Sequence, residues 1–493
     1  MRGKYSASRF HALTLLAAIS LYGCAVGPDY RKPVLPEVAS YSSELSASGQ
    51  ADSAAPKLVT SQAVGEQWWQ MFASDALSQL VEKGLQNSPT LVAAKARLTS
   101  AQETLGADNS SILFPKIDVS TNSSRQKISG ASFGNAGNPR MFSVHNAEIQ
   151  VSYNLDAFGG GQRYLETGES RVAFEIYQFE AARQTLIANI VTTSIAGASL
   201  REQVIATESM IADETDLLNL SEQQYQIGVI AKADLLAQRA SLAQTRTLLT
   251  PLQKALSQMR HQLAMLIGDM PGNASLPEID MGTLILPREL PLTLPSVLTQ
   301  RRPDVRAAEA MLHQANAQIG IAESNLYPKL QLSASYGSET SRITDLFNAG
   351  SVIWGLAAGL TQPVFRAGEL QARKRAAIAD FDKAAANYRQ SVLSAFVDVA
   401  DAMLAINMDG RQLTLQKEAE ALASETLDII RQQHRQGSVS YLMLLDAQRR
   451  YQQARINLIQ ARAALLNDSA ALIFALGGDW QNEISDTNLM EKK

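Results

Sequence analysis

The chain has 493 residues, with 44 Lys and Arg against 48 Asp and Glu for a formal net charge of −4, and a single Cys. That balance offers no basic patch for nucleic acid, and one cysteine excludes both a disulfide framework and a Cys-rich metal centre. The histidines at 11, 145, 261, 313 and 434 lack ligand-like spacing, so no metal site is expected. Few glycines and prolines and little aromatic content favour long helices over compact α/β layers.

In chain order, the first feature is an address. Arg2, Lys4 and Arg9 precede an apolar run from Ala12 to Leu21, too short to span a bilayer as a helix. The run ends in Leu21-Tyr22-Gly23-Cys24, which resembles a bacterial lipobox despite Tyr22 in place of a small residue. We therefore expect a signal peptide at 1–23 and a covalent lipid on Cys24, the only bound group expected. An ordinary signal peptide followed by an incidental cysteine is the alternative. No later stretch offers about 18 apolar residues in a row, so a membrane crossing would have to be a β-barrel.

The chain then repeats itself at a spacing of roughly 210 residues. Pro89-Thr90-Leu91-Val92-Ala93-Ala94 recurs as Pro303-Asp304-Val305-Arg306-Ala307-Ala308, and Phe114-Pro115-Lys116-Ile117 as Tyr327-Pro328-Lys329-Leu330. The glycines Gly159, Gly160 and Gly161 echo the run ending in Gly368, Gly228 echoes Gly437, and Gln238 with Arg239 echoes Gln448 with Arg449. These matches divide the chain into an extended lipidated segment at 24–72, a first repeat at 73–270, a proline-rich linker at 271–300, a second repeat at 301–478 and a tail at 479–493.

Each repeat reads helix, strand, strand, very long helix, tight turn, long helix. Ile149, Val151, Tyr153 and Leu155 alternate with polar residues, as do Leu330, Leu332, Ala334 and Tyr336. Trp354, Leu356, Ala358 and Leu360 repeat the pattern, and Ile117, Val119 and Thr121 give it more weakly. A period of two with one apolar face suits a barrel strand between lipid and water, or a half-buried soluble sheet. In the helices, Ile176, Ile190, Gly197, Val204, Ile211, Leu218 and Tyr225 share one heptad phase, with Val172, Phe179, Leu186 and Leu200 on the partner phase. Phe381, Ala384, Tyr388, Val392, Ala395, Val399 and Met403 form the equivalent seam in the second repeat.

Four strands cannot close a barrel, and open edges are not tolerated in hydrocarbon. Several copies must therefore pool their strands; three give twelve strands and twelve long helix segments, enclosing a lumen. The expected fold is a mixed α and β membrane protein: a homotrimeric 12-stranded barrel, four strands per chain, continuous with a 12-helix barrel. Gly159, Gly160, Gly161 and Gly368 then mark strand-to-helix turns. They lack the pattern of a phosphate-binding loop.

On Gly27-Pro28-Asp29-Tyr30-Arg31-Lys32-Pro33, Trp68-Trp69-Gln70-Met71-Phe72, Arg302-Pro303-Asp304-Val305-Arg306 and Tyr441-Leu442-Met443-Leu444-Leu445-Asp446-Ala447-Gln448, the chain resembles the TolC-like outer-membrane factor family. It is most similar to the lipoprotein branch serving resistance–nodulation–division pumps. The resemblance implies an outer-membrane exit duct with most of its mass in the periplasm, partnered by a periplasmic adaptor and an inner-membrane efflux pump. It implies drugs or other small toxic compounds as cargo. The helix turns at Gly228-Val229 and Gly437-Ser438-Val439 become adaptor-docking tips. Asp446 matches an acid ringing the periplasmic mouth. Asp234 matches an acid that latches the closed tips, with His434 or Arg435 as its candidate partner here. No catalytic motif is present, and the methionines are spread rather than clustered. Copper or silver export through the same duct and a structural coiled-coil envelope lipoprotein are the alternatives.

Overall fold

The computed structural model describes residues 25–33, 41, 54–60, 65, 67–129, 131, 138–293 and 295–478. Cys24, the signal segment and the tail at 479–493 lie outside the described residues. The elements run β1 (Lys57–Thr60), α1 (Asp75–Asn87), α2 (Pro89–Leu113), β2 (Lys116–Ile128), β3 (Arg140–Leu155), α3 (Gly160–Gln226) and α4 (Lys232–Leu266). They continue as β4 (Glu289–Leu292), α5 (Pro295–Arg301), α6 (Pro303–Ser324), β5 (Lys329–Thr340), β6 (Val352–Thr361), α7 (Glu369–Arg435) and α8 (Tyr441–Ala475). Two compact units result: Met1–Pro33, Arg97–Glu175 and Ala307–Tyr388 form one, and Val34–Ala96, Ile176–Arg306 and Arg389–Lys493 the other.

The first unit contains an antiparallel sheet in the order β2-β3-β5-β6. Its register carries the sequence alternation across all four strands. Val119 pairs with Ile149, Ile149 with Tyr336 and Tyr336 with Trp354. One step along, Ile117 pairs with Val151, Val151 with Ala334 and Ala334 with Leu356. Directly paired residues point to the same side, so the apolar positions of four strands form one continuous face. Ser120, Glu148, Gln150, Ser152 and Ser333 line the other. The strands hold 13, 16, 12 and 10 residues, enough for the roughly 9–11 that a tilted membrane strand needs.

The second unit is built on the long helices. Its core holds Leu186, Ile187, Ile190, Val191 and Ile195 of α3, with Val392, Ala395, Val399 and Ile406 of α7 and Leu465, Leu466, Leu472 and Ile473 of α8. Trp68, Trp69 and Phe72, in a single 3-10 turn, are fully buried. The described residues correct the expectation of four strands only: β1 and β4 pair in parallel, Lys57 with Glu289 through Thr60 with Leu292. β1 carries Leu and Val and β4 two Leu, but neither shows a long alternation, and at four residues each they are too short to read as strands. β4 and the start of α5 lie within the proline-rich segment 271–300. The opening helix of each repeat is two helices, broken before Pro89 and before Pro303. Each proline occupies the first helical position, where its missing N–H costs nothing.

The sequence offers no uninterrupted run of about 18 apolar residues after the signal segment, yet length and composition alone single out two helices. α7 and α8 each contain an 18-residue stretch apolar enough on length and composition. Their apolar residues come as alternating seams broken by charges, which is why no uninterrupted run appears in the sequence.

Helix boundaries fix the internal offset more tightly than residue matching. Adding 209 to the bounds of α3 (160, 226) gives those of α7 (369, 435), and adding it to α4 (232, 266) gives α8 (441, 475). Gly159, Gly228 and Gly268 have positive φ, and so do Gly368, Gly437 and Gly477, each 209 residues later. At this offset Gly368 corresponds to Gly159 rather than Gly161, and Gln448 to Arg239 rather than Gln238.

Candidate functional site

Three places bear on function: the strand-to-helix junction, the helix tips and the polar groups buried between the long helices. At the junction, the Gln162 N–H donates to Asp156 Oδ2 at 2.8 Å, placing a carboxylate at the N-terminus of α3. The glycine run answers to three close approaches. A Cβ on Gly159 would collide with the Ala25 backbone, on Gly160 with the Ser324 side chain, and on Gly161 with Ile112 and Asp156. Gly368 has positive φ with open space around it, so only its backbone conformation calls for glycine.

The N-terminal strap is held at this junction. The Val26 N–H donates to the Phe158 carbonyl (3.1 Å), and Phe158 stacks on Tyr327. Buried Arg163 donates to the Val26 carbonyl (3.3 Å), the Gly27 carbonyl (3.4 Å), Asp29 (2.8 Å) and Glu166 (2.8 Å). Burial works against its charge, but the two carboxylates outweigh it and raise its pKa. His313 Nε2 donates to the other Glu166 oxygen (2.7 Å) and stacks on Tyr30. Sequence reasoning read 27–33 only as a motif; nothing in its composition announced that it closes over a buried arginine.

At the tips, both long helices end in the same motif. The Gly228 N–H donates to the Tyr225 carbonyl and the Val229 N–H to that of Gln224 (3.0 and 2.9 Å). Gly437 and Ser438 donate to His434 and Gln433 (2.9 Å each). These are Schellman caps, and they explain both glycines without any partner. His434 Nδ1 donates to the Val439 carbonyl at 3.3 Å, and its ring meets the edge of Tyr441. Asp234 sits half-buried in the first turn of α4. The structure brings it into no ion pair with His434 or Arg435 within the chain. Asp446, exposed on α8, pairs with exposed Arg450 at 2.7 Å.

Below the tips lies a polar group that sequence reasoning missed. Glu214 of α3 is only 1% exposed; its carboxylate accepts from Ser241 of α4 (3.2 Å), and its main-chain carbonyl accepts from Gln238 (3.0 Å). Burial pushes its pKa up, against the pull of the Thr245 and Ser241 hydroxyls and the charge of Arg449. The signal was available. Thr207 and Glu214 continue the heptad phase of Val172, Phe179, Leu186 and Leu200, so a carboxylate stood at a core position. Higher on α7 and α8, Asp468 faces Asp409; burial, with that neighbour, pushes its carboxyl up to about 7.

A carboxyl held above its unfolded value stabilises the fold at low pH, and that contribution is lost as pH rises through its folded pKa. For Asp468 the window runs from about 4 to about 7. Asp468→Asn should therefore raise the unfolding free energy at pH 8, by about 1–2 kcal/mol once the roughly 4 kcal/mol of that full rise is discounted for the partial exposure of the side chain. At pH 4 it should match wild type. Equal stability at pH 8 would overturn the raised Asp468 carboxyl.

Comparison with known proteins gives the family. The profile described as outer membrane efflux protein matches residues 80–269 and 294–478. This chain belongs to the outer membrane efflux protein family. It is 28% identical over 485 residues, spanning 96% of this chain and 99% of that protein, to the solvent efflux pump outer membrane protein SrpC of Pseudomonas putida. To the pyoverdine export outer membrane protein OpmQ of Pseudomonas aeruginosa it is 31% identical over 422 residues, 85% of this chain and 88% of that one. Among solved structures it is similar to the outer-membrane channel OprN, with a TM-score of 0.83, 27% identity, and coverage of 93% of this chain and all of that one. The efflux protein thus has the fold of the TolC-like outer-membrane channels, and its location is the outer membrane.

Proposed function

We propose that the protein is the exit duct of a tripartite efflux system, a homotrimer built from an internally duplicated chain. Three four-stranded sheets close a 12-stranded barrel, and the helices α3, α4, α7 and α8 of three copies form a 12-helix barrel. The duct passively conducts drugs or other small toxic compounds, delivered by a periplasmic adaptor and an inner-membrane pump, to the outside. It holds no catalytic role. The lipid on Cys24 adds an anchor beside the barrel.

The observation that carries this reading is incompleteness. The sheet has one continuous apolar face with β2 and β6 as edges that no other described strand pairs, a state that hydrocarbon does not tolerate unless other copies pair those edges. The relatives' solvent and pyoverdine export support organic cargo over metal ions. Within the trimer, Gly228, Val229, Gly437, Ser438 and Val439 cap the tips that dock the adaptor. Asp446 rings the periplasmic mouth, its charge partly offset by Arg450. Asp234, which forms no ion pair among the described residues of its own chain, meets His434 or Arg435 of an adjoining copy.

A deletion strain tests the function directly. It should accumulate a fluorescent dye and several antibiotics several-fold over wild type, with no change in copper or silver. Complementation by wild type should reverse this, and in planar bilayers Asp446→Ala should weaken cation preference several-fold. Retention of metal alone would move the reading to ion export.

A further inference from the structure

The apolar sheet face is not evenly contoured. Between β3, β5 and β6 it holds a shallow, largely open dimple of about 630 Å³ lined by Val151, Tyr153, Leu332, Ala334, Leu356 and Ala358, with Ser333 and Ala357 between them along the strands and Pro115 at its rim. The register explains the hollow: Ala334 stands opposite Leu356 and Val151, and Ala358 opposite Leu332, so two methyl side chains sit among larger neighbours. It is open to its surroundings rather than enclosed, and apart from Ser333 and the Tyr153 hydroxyl its lining side chains are apolar.

The dimple is near the helix-side end of the strands. β3 ends at Leu155; Tyr153 and Val151 lie two and four residues back, about 7 and 14 Å at strand rise. Pro115 immediately precedes β2 at the same edge. The described chain begins at that edge too. Ala25 packs against Gly159, and the Val26 N–H is bonded to the Phe158 carbonyl, three residues past the end of β3. The described chain thus starts at the junction, where the buried Arg163 clasp holds residues 26–29. A fatty acyl chain reaches across one leaflet, about 15 Å of a roughly 30 Å hydrocarbon core. That span covers the dimple.

The geometry points to a built seat: the dimple at Ala334 and Ala358 takes an acyl chain of the lipid carried by Cys24. This rests on the lipid-anchor reading above. The seated chain lies along β5, and the strap, the junction and the barrel face become one bound surface. The alanines set the fit, since any larger side chain at either position fills the hollow. Bulk membrane lipid is the competing occupant, and the experiment separates the two.

Cells are fed a fatty acid bearing a terminal photoactivatable group, native membranes are irradiated, and the purified trimer is digested for mass spectrometry. The mass of the N-terminal peptide reports lipidation. Peptides joined to it through the lipid report the seat, whereas adducts of free phospholipid report the bulk membrane. The expected result is that most lipid-bridged products join the N-terminal peptide to β3, β5 or β6 at Tyr153, Leu332 or Leu356. Ala334→Trp should cut that yield at least fivefold while heat-modifiable trimers persist, and Ala358→Leu provides the same test with a smaller change. A lipidated N-terminus whose bridges are spread over Ile117, Val119 and the rest of the apolar face, or are unchanged by filling, overturns the seat alone. An unmodified Cys24 overturns the anchor reading and the seat with it.

Discussion

Leu356→Arg should abolish the assembled protein in membranes, leaving chain that is extracted by urea and shows no heat-modifiable trimer on gels. Leu356 is 76% exposed in the middle of β6, flanked on the same face by Ala334 across the strand and by Trp354 and Ala358 along it. In a chain whose sheet meets lipid, an arginine there costs about 2–4 kcal/mol near the bilayer midplane. A trimer incurs that cost three times, which exceeds much of the roughly 5–15 kcal/mol stability of a domain. Ala357→Arg is the paired control. Ala357 lies opposite Ser333 on the polar face and is equally open, so a charge there should project into water and leave assembly intact. If both variants assemble, or both fail, the two faces are not distinguished by lipid, and a half-buried soluble sheet becomes the better account.

How much of this was legible beforehand depended on whether a residue's role is local or shared. The strand alternation at Ile149–Leu155 and Leu330–Tyr336 was readable because period two is set by one strand's own backbone. What it could not give is the register, and only the register shows that Val119, Ile149, Tyr336 and Trp354 form one row. The helix ends at Gly228 and Gly437 were readable because a Schellman cap needs a residue that tolerates positive φ. β1 and β4 were not, since four residues in parallel pairing carry no periodicity and their partner is more than 200 positions away. Glu214 shows a different limit. Its heptad position marked it as buried, but without Ser241 and Thr245 from the next helix it reads as an exception rather than a hub. The Arg163 clasp was beyond reach for the same reason, because Val26, Gly27 and Asp29, which it grips, belong to a strap 134 to 137 residues earlier. For the residues proposed at the gate the sequence match supplied positions, while the fold supplied mainly what they do within one chain: Asp446 holds Arg450, and His434 holds Val439 and Tyr441.

The helical half carries its own evidence of a missing partner, and the second large effect is expected there. α7 buries Tyr388, Val392, Ala395, Val399, Met403 and Ile406 within its own chain, yet Leu393, Val397, Leu404, Met408, Leu415, Leu422 and Ile429 are each at least 40% exposed. Their spacings are four and seven, so at 3.6 residues per turn all seven fall in a stripe about 60° wide. A second heptad seam on the same helix, open to solvent, is what one wall segment of a closed helical tube presents to the next copy. Burying the exposed half of such a side chain contributes about 1 kcal/mol, so the stripe supplies roughly 7 kcal/mol per interface, and the sheet edges add to it. Leu415→Glu with Leu422→Glu should remove two of those contributions and bury up to two carboxylates per interface against an apolar seam, at several kcal/mol each. The purified double variant should run as monomer by light scattering in detergent, and drug retention should rise to the level of the deletion strain. Its helical circular dichroism should be unchanged, because neither leucine contributes to the buried core of its own chain. A stable trimer carrying both glutamates would mean that the stripe faces water, and the closure of the tube would have to come from another face of α7 or from the barrel strands alone.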